Sequence, residues 1–370
     1  MPVRLLQNLP AFLAAITTLA LLFSAPEAHA CLAGGDERTI NAALQGTGAK
    51  AELCPRAIFL LHAPIVLSAD GQEIATAGYP TDETRAIVRI VGRSLATAIT
   101  SRASNIAIRN VEVDGSRPAL GPIPGGRALI EVGGAVSNIR VDSISSHDPR
   151  GWSALHIFEG GGKCRGAFVT NNRIGPAGTP DGHWSDGISF ACRDGLIAGN
   201  VITDASDGGI VIFGAPGTVV ENNLVRTRRN ILLGGINLVD YQPFFGDYTG
   251  TIVRHNRIEA DGGFIKVGIA IGPATWQPDK GLVNSGGQVI GNLITGSGIG
   301  YGIVVSGVNN FVVMNNRVAA KLGGAVGPGC PRNQIAPGQA LVVNPGNSQG
   351  RFQADFLQAP IQYAICIQPR

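Results

Sequence analysis

The chain has little net charge and no concentration of either sign. Its 370 residues include 29 Lys and Arg against 26 Asp and Glu. There is no basic patch, no run of Arg interleaved with aromatic residues and no acidic tail. Proteins that bind nucleic acid usually carry a clustered basic surface, so the charge distribution argues against a nucleic-acid partner.

Long apolar runs are also scarce, and the one that occurs lies at the N-terminus. Residues 11–23 (AFLAAITTLALLF) follow a positive charge and are followed by AHA at 28–30, the small-residue pattern of a cleavage site. We interpret residues 1–30 as a secretory signal removed before Cys31, which predicts a secreted or periplasmic protein. The run is short for a membrane span and no later segment is longer. A retained anchor or a lipid on Cys31 is the alternative.

Two further patterns are missing. The 52 glycines show no Gly-X-Y period, which excludes a collagen-like chain. His156 and His183 stand in no HxH or HExxH spacing, so no metal site is predicted from histidine. The glycines instead occur in Gly-Gly, Gly-Asn and Gly-Asp pairs beside runs of Val and Ile, which is typical of strands separated by turns.

What the chain does contain is a repeat. A phrase of the form apolar-x-x-Asn-x-apolar recurs every 23 to 36 residues, with its asparagine at Asn172, Asn200, Asn223, Asn256, Asn292 and Asn316. A second phrase, Gly-Ile-x-apolar, alternates with it and begins at Gly187, Gly209, Gly235, Gly268 and Gly302, with ALHI at 154–157 as a degenerate copy. Each unit therefore predicts two short alternating strands.

Strands repeating at this interval suit an all-β parallel solenoid formed by residues 31–370. Equivalent apolar residues would stack between coils about 4.8 Å apart, and a column of inward asparagines would satisfy its hydrogen bonds from coil to coil. We expect the glycines to permit turns with positive φ. An antiparallel sandwich is the alternative, but two-residue hairpin signals are scarce.

The cysteines test this register. All six follow residue 30, and an even number in an exported protein predicts disulfides. Cys164 precedes Asn172 by eight residues, and Cys192 precedes Asn200 by eight, so the two cysteines would lie on adjacent coils within disulfide reach. Cys31 and Cys54 flank the first segment, which leaves Cys330 with Cys366.

The ends of the solenoid need caps. Residues 36–46 (DERTINAALQG) are helix-like, with Ile40, Ala43 and Leu44 on one side, and we expect this helix to cover the first coil within an N-terminal cap of residues 31–60. Residues 325–370 would form the C-terminal cap region.

The helix-like segment, the stretch CPRAIFLLHAPIVL (54–67) and the recurring Asn phrases resemble the right-handed parallel β-helix proteins of the pectin lyase-like superfamily. The resemblance covers nearly all of the chain after residue 30 and implies a single-stranded right-handed β-helix with an N-terminal capping helix. Members of that superfamily include polysaccharide lyases, glycoside hydrolases, sugar epimerases and non-catalytic adhesins, so the fold names no reaction.

Aligning the Gly-Ile phrases predicts an outward column of side chains that is polar and aromatic between residues 152 and 241 and becomes apolar at Ala270 and Val304. Such a face suits a glycan, because aromatic rings stack on sugars while polar groups bond hydroxyls. Insertions at 241–250 and 272–287 would wall the groove. The predicted substrate-binding residues are Trp152, His156, Phe158, Glu159, His183, Trp184, Ser189, Arg193, Phe213, Asn237, Tyr241 and Trp276.

Asp186, Asp207 and Asp240 are the predicted catalytic carboxylates. Acids on neighbouring coils raise each other's pKa, and a pair of carboxylates is what glycoside hydrolysis requires. Asp before Gly is also a common turn residue, which is the structural alternative. SDGIS and SDGG loosely resemble the Asp-bearing strands of polygalacturonase-type glycosidases, but the Gly-His-Gly of those enzymes is replaced by residues 234–236 (GGI).

A polysaccharide lyase would need a different set of groups. Lys266 is the candidate base, with Arg193, His183 and Tyr241 as further options, and Ca²⁺ could be held by Asp181, Asp186 and Asp207. We predict a polysaccharide-degrading enzyme acting on a poly- or oligosaccharide, with a cofactor-free hydrolase favoured over a lyase. A non-catalytic glycan-binding or surface β-helix is the alternative, and the sequence indicates no oligomeric state.

Overall fold

The computed structural model describes Met1, residues 31–278 and residues 280–370, so the predicted signal segment lies outside the described residues. Residues 31–370 form one unit. Within it, each coil contributes up to three short strands, and every strand pairs in parallel with its equivalents on neighbouring coils. The strands therefore form three rows, A, B and C, along a right-handed β-helix.

Row A contains Lys50–Leu53, Glu73–Thr76, Ala107–Arg109, Ser137–Asp142, Arg165–Thr170, Leu196–Ala198, Val219–Glu221, Ile252–Arg254, Asn284–Ser285, Gln288–Ile290, Val308–Met314 and Ser348–Phe352. Row B contains Ile58–Leu61, Ala86–Ile90, Val111–Asp114, Ser145–His147, Arg173–Ile174, Val201–Thr203, Leu224–Thr227 and Arg317–Leu322. Row C contains Ile65–Leu67, Ile99–Ser101, Ile130–Gly133, Ser153–Phe158, Asp186–Phe190, Gly208–Ile212, Ile231–Leu238, Leu341–Val343 and Leu357–Gln358. Two long strands, Arg257–Ile271 and Leu293–Val305, run through rows B and C without a break.

The stacking register is the one that the repeats predict. In row C, Ile188 pairs with Ile210, Ile210 with Ile236, and Ile236 with Ile269. These isoleucines are fully buried. Burying apolar surface in this continuous column stabilises the solenoid, at roughly 25 cal/mol per Å² removed from water.

The asparagine column is a hydrogen-bonded ladder. The Asn172 amide donates to Oδ1 of Asn200 at 2.9 Å, and the Asn200 amide donates to Oδ1 of Asn223 at 2.8 Å. The same contact repeats through Asn256 and Asn292 to Asn316. Each side chain also bonds backbone groups of neighbouring coils, so the buried amides are satisfied as the repeat predicts.

Glycines at turns, such as Gly199 and Gly291, adopt positive φ as predicted, whereas the glycines of the Gly-Ile phrases have a different role. None of the five adopts positive φ. A Cβ on Gly187, Gly209, Gly235 or Gly268 would lie 2.5–2.6 Å from the carbonyl oxygen of the next glycine in the column. Glycine is required there by the close approach of two coils. The positive-φ position is instead the residue just before each ladder asparagine, such as Asn171 or Gly199.

Three disulfides join Cys31 to Cys54, Cys164 to Cys192 and Cys330 to Cys366, which are the pairs that the sequence predicts. The Cys164 and Cys192 Cα atoms are 4.7 Å apart on adjacent coils. This distance is one coil step and independently supports the asparagine register.

A helix covers the N-terminal end of the coil stack. The helix Glu37–Ala43 is capped by Asp36, whose side chain accepts hydrogen bonds from the Arg38 and Thr39 backbone amides, and it buries Ile40 against the first coil. Shorter helical turns are Arg117–Leu120, Pro273–Thr275 and Ala364–Cys366. In the described part of the chain no helix has the length and apolar character needed to cross a membrane.

The last residues do more than cap the stack. Residues 359–370, here called the C-terminal arm, pack on the outer face of row C through Ile361, Ala364 and Ile367. They form a second apolar cluster with the row C residues Val267, Ala270, Tyr301, Val304 and Val342.

Candidate functional site

The outward column predicted from the Gly-Ile phrases is present on the strands of row C. Val66, Thr100, Glu131, His156, Ser189, Val211, Asn237, Ala270, Val304 and Val342 occupy equivalent positions on successive coils. Exposure falls along this outer column from 39% at Val66 to 0% at Ser189, and it stays at 6% or less from Ser189 to Val342. The C-terminal arm covers Ala270, Val304 and Val342, of which the first two are the positions where the sequence predicts that the column becomes apolar.

Two predicted substrate-binding residues of the outer column are themselves fully buried. Ser189 and Asn237 are both 0% exposed, which corrects the expectation that they present open surface to a ligand. Ser189 is buried in a network of polar side chains, whereas both polar atoms of the Asn237 amide lack a hydrogen-bond partner among the described residues. Such an amide is costly to bury, by about 1–3 kcal/mol.

Three carboxylates meet beside this column. Asp186 begins the strand Asp186–Phe190, and Asp207 directly precedes Gly208–Ile212 on the next coil. Asp240 follows Ile231–Leu238 one coil further on, where its backbone carbonyl accepts a hydrogen bond from the Tyr248 hydroxyl at 3.1 Å. The three acids, which lie at turns of successive coils, are therefore close to one another. We call Asp186, Asp207 and Asp240 the acid cluster.

Asp186 is the most constrained of the three. Its Oδ1 accepts the Gly208 backbone N–H at 2.7 Å, and its Oδ2 accepts the Ser189 hydroxyl at 2.8 Å. Ser189 Oγ lies 2.9 Å from Ser153 Oγ, which in turn donates to the Leu155 carbonyl. Asp207 and Asp240 side chains accept no hydrogen bond within the described residues, so their oxygens remain available to a ligand.

The cluster holds its protons unusually tightly. Burial, assisted by the charges of Asp207 and Asp240, raises the pKa of Asp186 well above its usual value. Burial raises the pKa of Asp207 to about 6, and burial together with the Asp207 charge raises the pKa of Asp240 to about 7. Near neutral pH the cluster therefore contains protonated and ionised carboxyls side by side.

Aromatic side chains form a stripe next to the acids. The His156 ring lies 4.7 Å from the Trp152 ring, 5.9 Å from Phe158 and 6.4 Å from Phe213. Burial lowers the pKa of His156 to about 4, so its imidazole is neutral. The Asp186 N–H donates to the Trp152 carbonyl at 2.8 Å, which ties this stripe to the acid cluster.

A cleft of about 710 Å³ opens beside Trp152. Its walls come from the loop 117–125 and from residues 179–184, which include His183 and the 49%-exposed Trp184. Arg117 fastens the two loops, because its guanidinium donates to the Gly178 carbonyl at 3.0 Å and pairs with Asp148 at 3.1 Å. Arg117 is not among the predicted site residues, since nothing in its local sequence distinguishes it from a solvated arginine.

The remaining predicted residues are more dispersed. Lys266 lines a second cleft of about 370 Å³ with Trp184 and Ser206, but its ammonium donates to the Ile365 carbonyl of the C-terminal arm at 2.7 Å. Arg193 donates to the Gly162 carbonyl and lies over the Phe244 ring. Glu159 is partly exposed just after Phe158, and the Tyr241 ring packs edge-on against Phe245.

Trp276 forms a wall of the site, as the insertion at 272–287 predicts. A Cβ on Gly234 would lie 2.9 Å from its indole Cζ3 and 1.9 Å from Asn237 Oδ1. The indole is partly buried against the apolar cluster under the C-terminal arm. Gly234 therefore leaves the space in which Trp276 and Asn237 pack together.

The oxygens suggested for Ca²⁺ do not form a ligand set. Asp181 is exposed in the larger cleft, and both oxygens of Asp186 are already bonded. Within residues 31–278 and 280–370, the three potential ligands found close together are Asp114, His147 and Asp148. Hydrogen bonds to Asp148 and Glu112 outweigh burial and raise the pKa of His147 to about 9, so this group is an ion-pair cluster.

No family model matches the chain, and no curated protein matches it significantly. Solved structures do match. DFA-IIIase from Arthrobacter chlorophenolicus A6 in complex with GF2 superimposes with a TM-score of 0.51 at 17% identity, over 86% of this chain and 94% of that one. This match shows the fold alone, which is a right-handed parallel β-helix. Alginate lyase from Paenibacillus sp. str. FPU-7 matches this β-helix with a TM-score of 0.45 at 11% identity, over 78% of this chain and 99% of that one.

Proposed function

We propose that this β-helix is a glycoside hydrolase whose acid cluster cleaves a glycosidic bond of a poly- or oligosaccharide. The observation that supports the proposal is the pairing of Asp207 and Asp240, two partly exposed carboxyls with raised pKa and unbonded oxygens. Carboxyls with displaced pKa values in a groove are the groups that acid and base steps of hydrolysis need.

In this proposal Asp240 is the general acid. Its carboxyl donates a proton to the glycosidic oxygen as the bond from that oxygen to the anomeric carbon breaks. Asp207, the more acidic group, is the carboxylate that assists water: either it takes a proton from the attacking water, or it first bonds the anomeric carbon and water then releases it. One water is consumed for each bond that breaks.

Asp186 is a positioning residue for the other two. Its side chain is fixed by Ser189 and by the Gly208 N–H, and Gly208 directly follows Asp207 in the chain. Burial raises the pKa of Asp186, assisted by the charges of Asp207 and Asp240, so it loses its proton less readily than an exposed carboxyl. The aromatic stripe of Trp152, His156 and Phe213 supplies the surface on which sugar rings would stack.

A lyase is less well supported. Its candidate base is Lys266, and burial lowers the pKa of this lysine. The Lys266 ammonium, however, donates a hydrogen bond to the Ile365 carbonyl and not to a member of the acid cluster. Elimination also requires neutralisation of the negative charge on a uronate carboxylate. A cluster of three acids would repel that carboxylate instead. The three disulfides support export of the protein from the reducing cytoplasm.

The decisive experiment incubates residues 31–370 with a panel of β-glucan, α-glucan, fructan, alginate and polygalacturonate. New reducing ends without absorbance near the ultraviolet band of an unsaturated sugar support hydrolysis, whereas that absorbance would establish elimination. Added EDTA should leave hydrolysis unchanged, because the proposed reaction uses carboxyls and water only. Binding of a glycan without any new ends would show a non-catalytic protein and contradict the proposal.

A further inference from the structure

We infer that the groove is closed at one end and that the enzyme therefore acts on the ends of glycan chains, releasing short products. This inference rests on the proposed function and adds the mode of attack. It follows from the way in which the C-terminal arm and Trp276 end the outer column immediately beyond the acid cluster.

The open side of the groove faces the N-terminal coils. Along the outer column, His156, Glu131 and Thr100 are partly exposed, and Val66 is 39% exposed. Phe158 extends the aromatic stripe in this direction, and the Arg102 guanidinium lies 5.1 Å from its ring centroid. Several consecutive coils thus offer polar and aromatic surface to a glycan that runs along the helix axis.

The other side is filled. Ala270, Val304 and Val342 continue the same column but are 0% exposed beneath Ile361, Ala364 and Ile367 of the arm. Ser189, Val211 and Asn237, on the coils of the acid cluster, are at most 6% exposed, so the open part of the column ends after His156. A glycan that lies along the open coils has no path past the acid cluster.

The arm is held at several places along its length. The Tyr363 N–H donates to the Ala274 carbonyl at 2.7 Å, and the Ile361 carbonyl accepts the Ser306 hydroxyl at 2.7 Å. Lys266 donates to Ile365, and Gln368 forms a bridge to Ala325. The disulfide Cys330–Cys366 links the arm covalently to the preceding loop. These contacts describe a fixed wall.

Trp276 completes the wall on the side of the acids. Its indole packs against the arm's apolar cluster and reaches the space above Gly234, which pairs with Gly208 beside Asp186. The acid cluster spans two coil steps, roughly 10 Å, between the end of the open column and the covered Ala270 coil. This is about the length of one or two sugar units, which sets the expected product size.

The first test compares products at about 1% turnover of the panel polymer that gives the highest rate. We expect one product of one or two units from the earliest time, with almost no loss of viscosity while reducing ends accumulate. A ladder of intermediate lengths with a rapid fall in viscosity would overturn the inference and leave the hydrolase proposal intact.

The second test measures binding rather than turnover. Oligosaccharides of the same panel, each carrying a bulky fluorophore at the reducing or the non-reducing end, are titrated into the Asp207→Asn variant. We expect a label at one of the two ends to weaken binding by at least tenfold. Equal binding of both labelled forms would overturn the closed end. If nothing in the panel is cleaved but binding depends on the labelled end, hydrolysis is wrong and the closed groove stands. If nothing binds or turns over, both proposals fall.

Variants locate the wall. Trp276→Ala should convert the single product into a mixture that includes longer fragments, while Phe245→Ala, which removes a 71%-exposed ring, should keep the single product. The Cys330→Ser, Cys366→Ser double variant should release the arm and lengthen the products further, with thermal unfolding as its folding control. An unchanged product pattern in a folded Trp276→Ala protein would contradict the role assigned to this wall.

Discussion

The Ser189 hydroxyl donates a hydrogen bond of 2.8 Å to Oδ2 of Asp186, three residues earlier on the same strand. With the Gly208 N–H on the other oxygen, this bond removes Asp186 from direct contact with a substrate. The two acids of the cluster that remain unbonded, Asp207 and Asp240, are left to perform the proton transfers.

This division predicts unequal effects of three amide substitutions. Asp207→Asn and Asp240→Asn should each lower kcat by roughly 10²–10⁴-fold, because each removes a group that moves a proton. Asp186→Asn should lower kcat by about tenfold or less, because both Asp186 oxygens are hydrogen-bonded within the protein and it transfers no proton in the proposed reaction. Asp194→Asn, at a half-exposed surface acid, is the matched control. A larger loss from Asp186→Asn than from Asp240→Asn would refute the assignment.

The pH dependence of kcat/KM should be bell-shaped. Activity requires ionised Asp207 and protonated Asp240, whose pKa values are raised to about 6 and about 7, so it should fall below about pH 6 and above about pH 7. Both limbs of the bell describe the coupled pair of Asp207 and Asp240, and neither limb is assigned to one residue. Ser189→Ala should shift the pH profile. If Ser189 had only a structural role, the variant would change stability and leave the profile unchanged. A rate that stays flat from pH 5 to pH 9 would exclude this pair.

Stability should vary with pH in the sense set by the raised pKa values. Between about pH 4 and pH 7 the folded state binds more protons at Asp207 and Asp240 than the unfolded state does, so the free energy of unfolding falls as pH rises through this window. At pH 8 the free energy of unfolding of Asp240→Asn should therefore exceed that of the parent by on the order of 1–3 kcal/mol, so the variant should unfold at a higher temperature. At pH 4 the two proteins should unfold at a similar temperature. Calorimetry at both pH values measures this, and a lower Tm at pH 8 would contradict it.

The asparagine ladder should be most sensitive in its middle. Asn200→Ala removes the acceptor of the Asn172 backbone N–H and the donor to the Val169 carbonyl inside the core, and we expect a loss of about 2–5 kcal/mol. Asn171→Gly, at an exposed neighbour with φ of 56° that suits glycine, should change stability by less than about 1 kcal/mol. Urea denaturation of the two variants compares them directly, and similar midpoints would argue against the ladder.

The glycine column gives a second test of coil spacing. A methyl group at Gly235 would lie 2.5 Å from the Gly268 carbonyl and 2.8 Å from Ile258 Cγ2, so Gly235→Ala should destabilise the protein by about 1–3 kcal/mol or more. Gly323→Ala is the matched control, because no atom lies within 4 Å of its added methyl. Equal thermal stability of the two variants would mean that the coils are less closely stacked than described.

Much of the architecture followed from periodicity. The Asn and Gly-Ile phrases predicted the strands, their stacking and the disulfide between Cys164 and Cys192, because a solenoid places equivalent residues of a repeat one above another. Because equivalent positions of successive repeats are stacked, the pattern within one sequence is sufficient to predict which residues are in contact. The prediction that glycines permit positive-φ turns is confirmed at positions such as Gly199, whereas the glycines of the Gly-Ile phrases are required by the close approach of two backbones.

The sequence by itself determined the solenoid, the stacking register and the presence of acids at three successive turns, because each depends on contacts that repeat at short intervals. The tertiary structure alone decided which oxygens of those acids are bonded, that Lys266 is held by Ile365, and which segment covers the apolar end of the groove. These features depend on segments far apart in the chain, such as the arm that returns over Ala270 and Val304. A non-repeating segment that folds back onto the outer face has no periodic signal, so only the folded chain reveals what it covers.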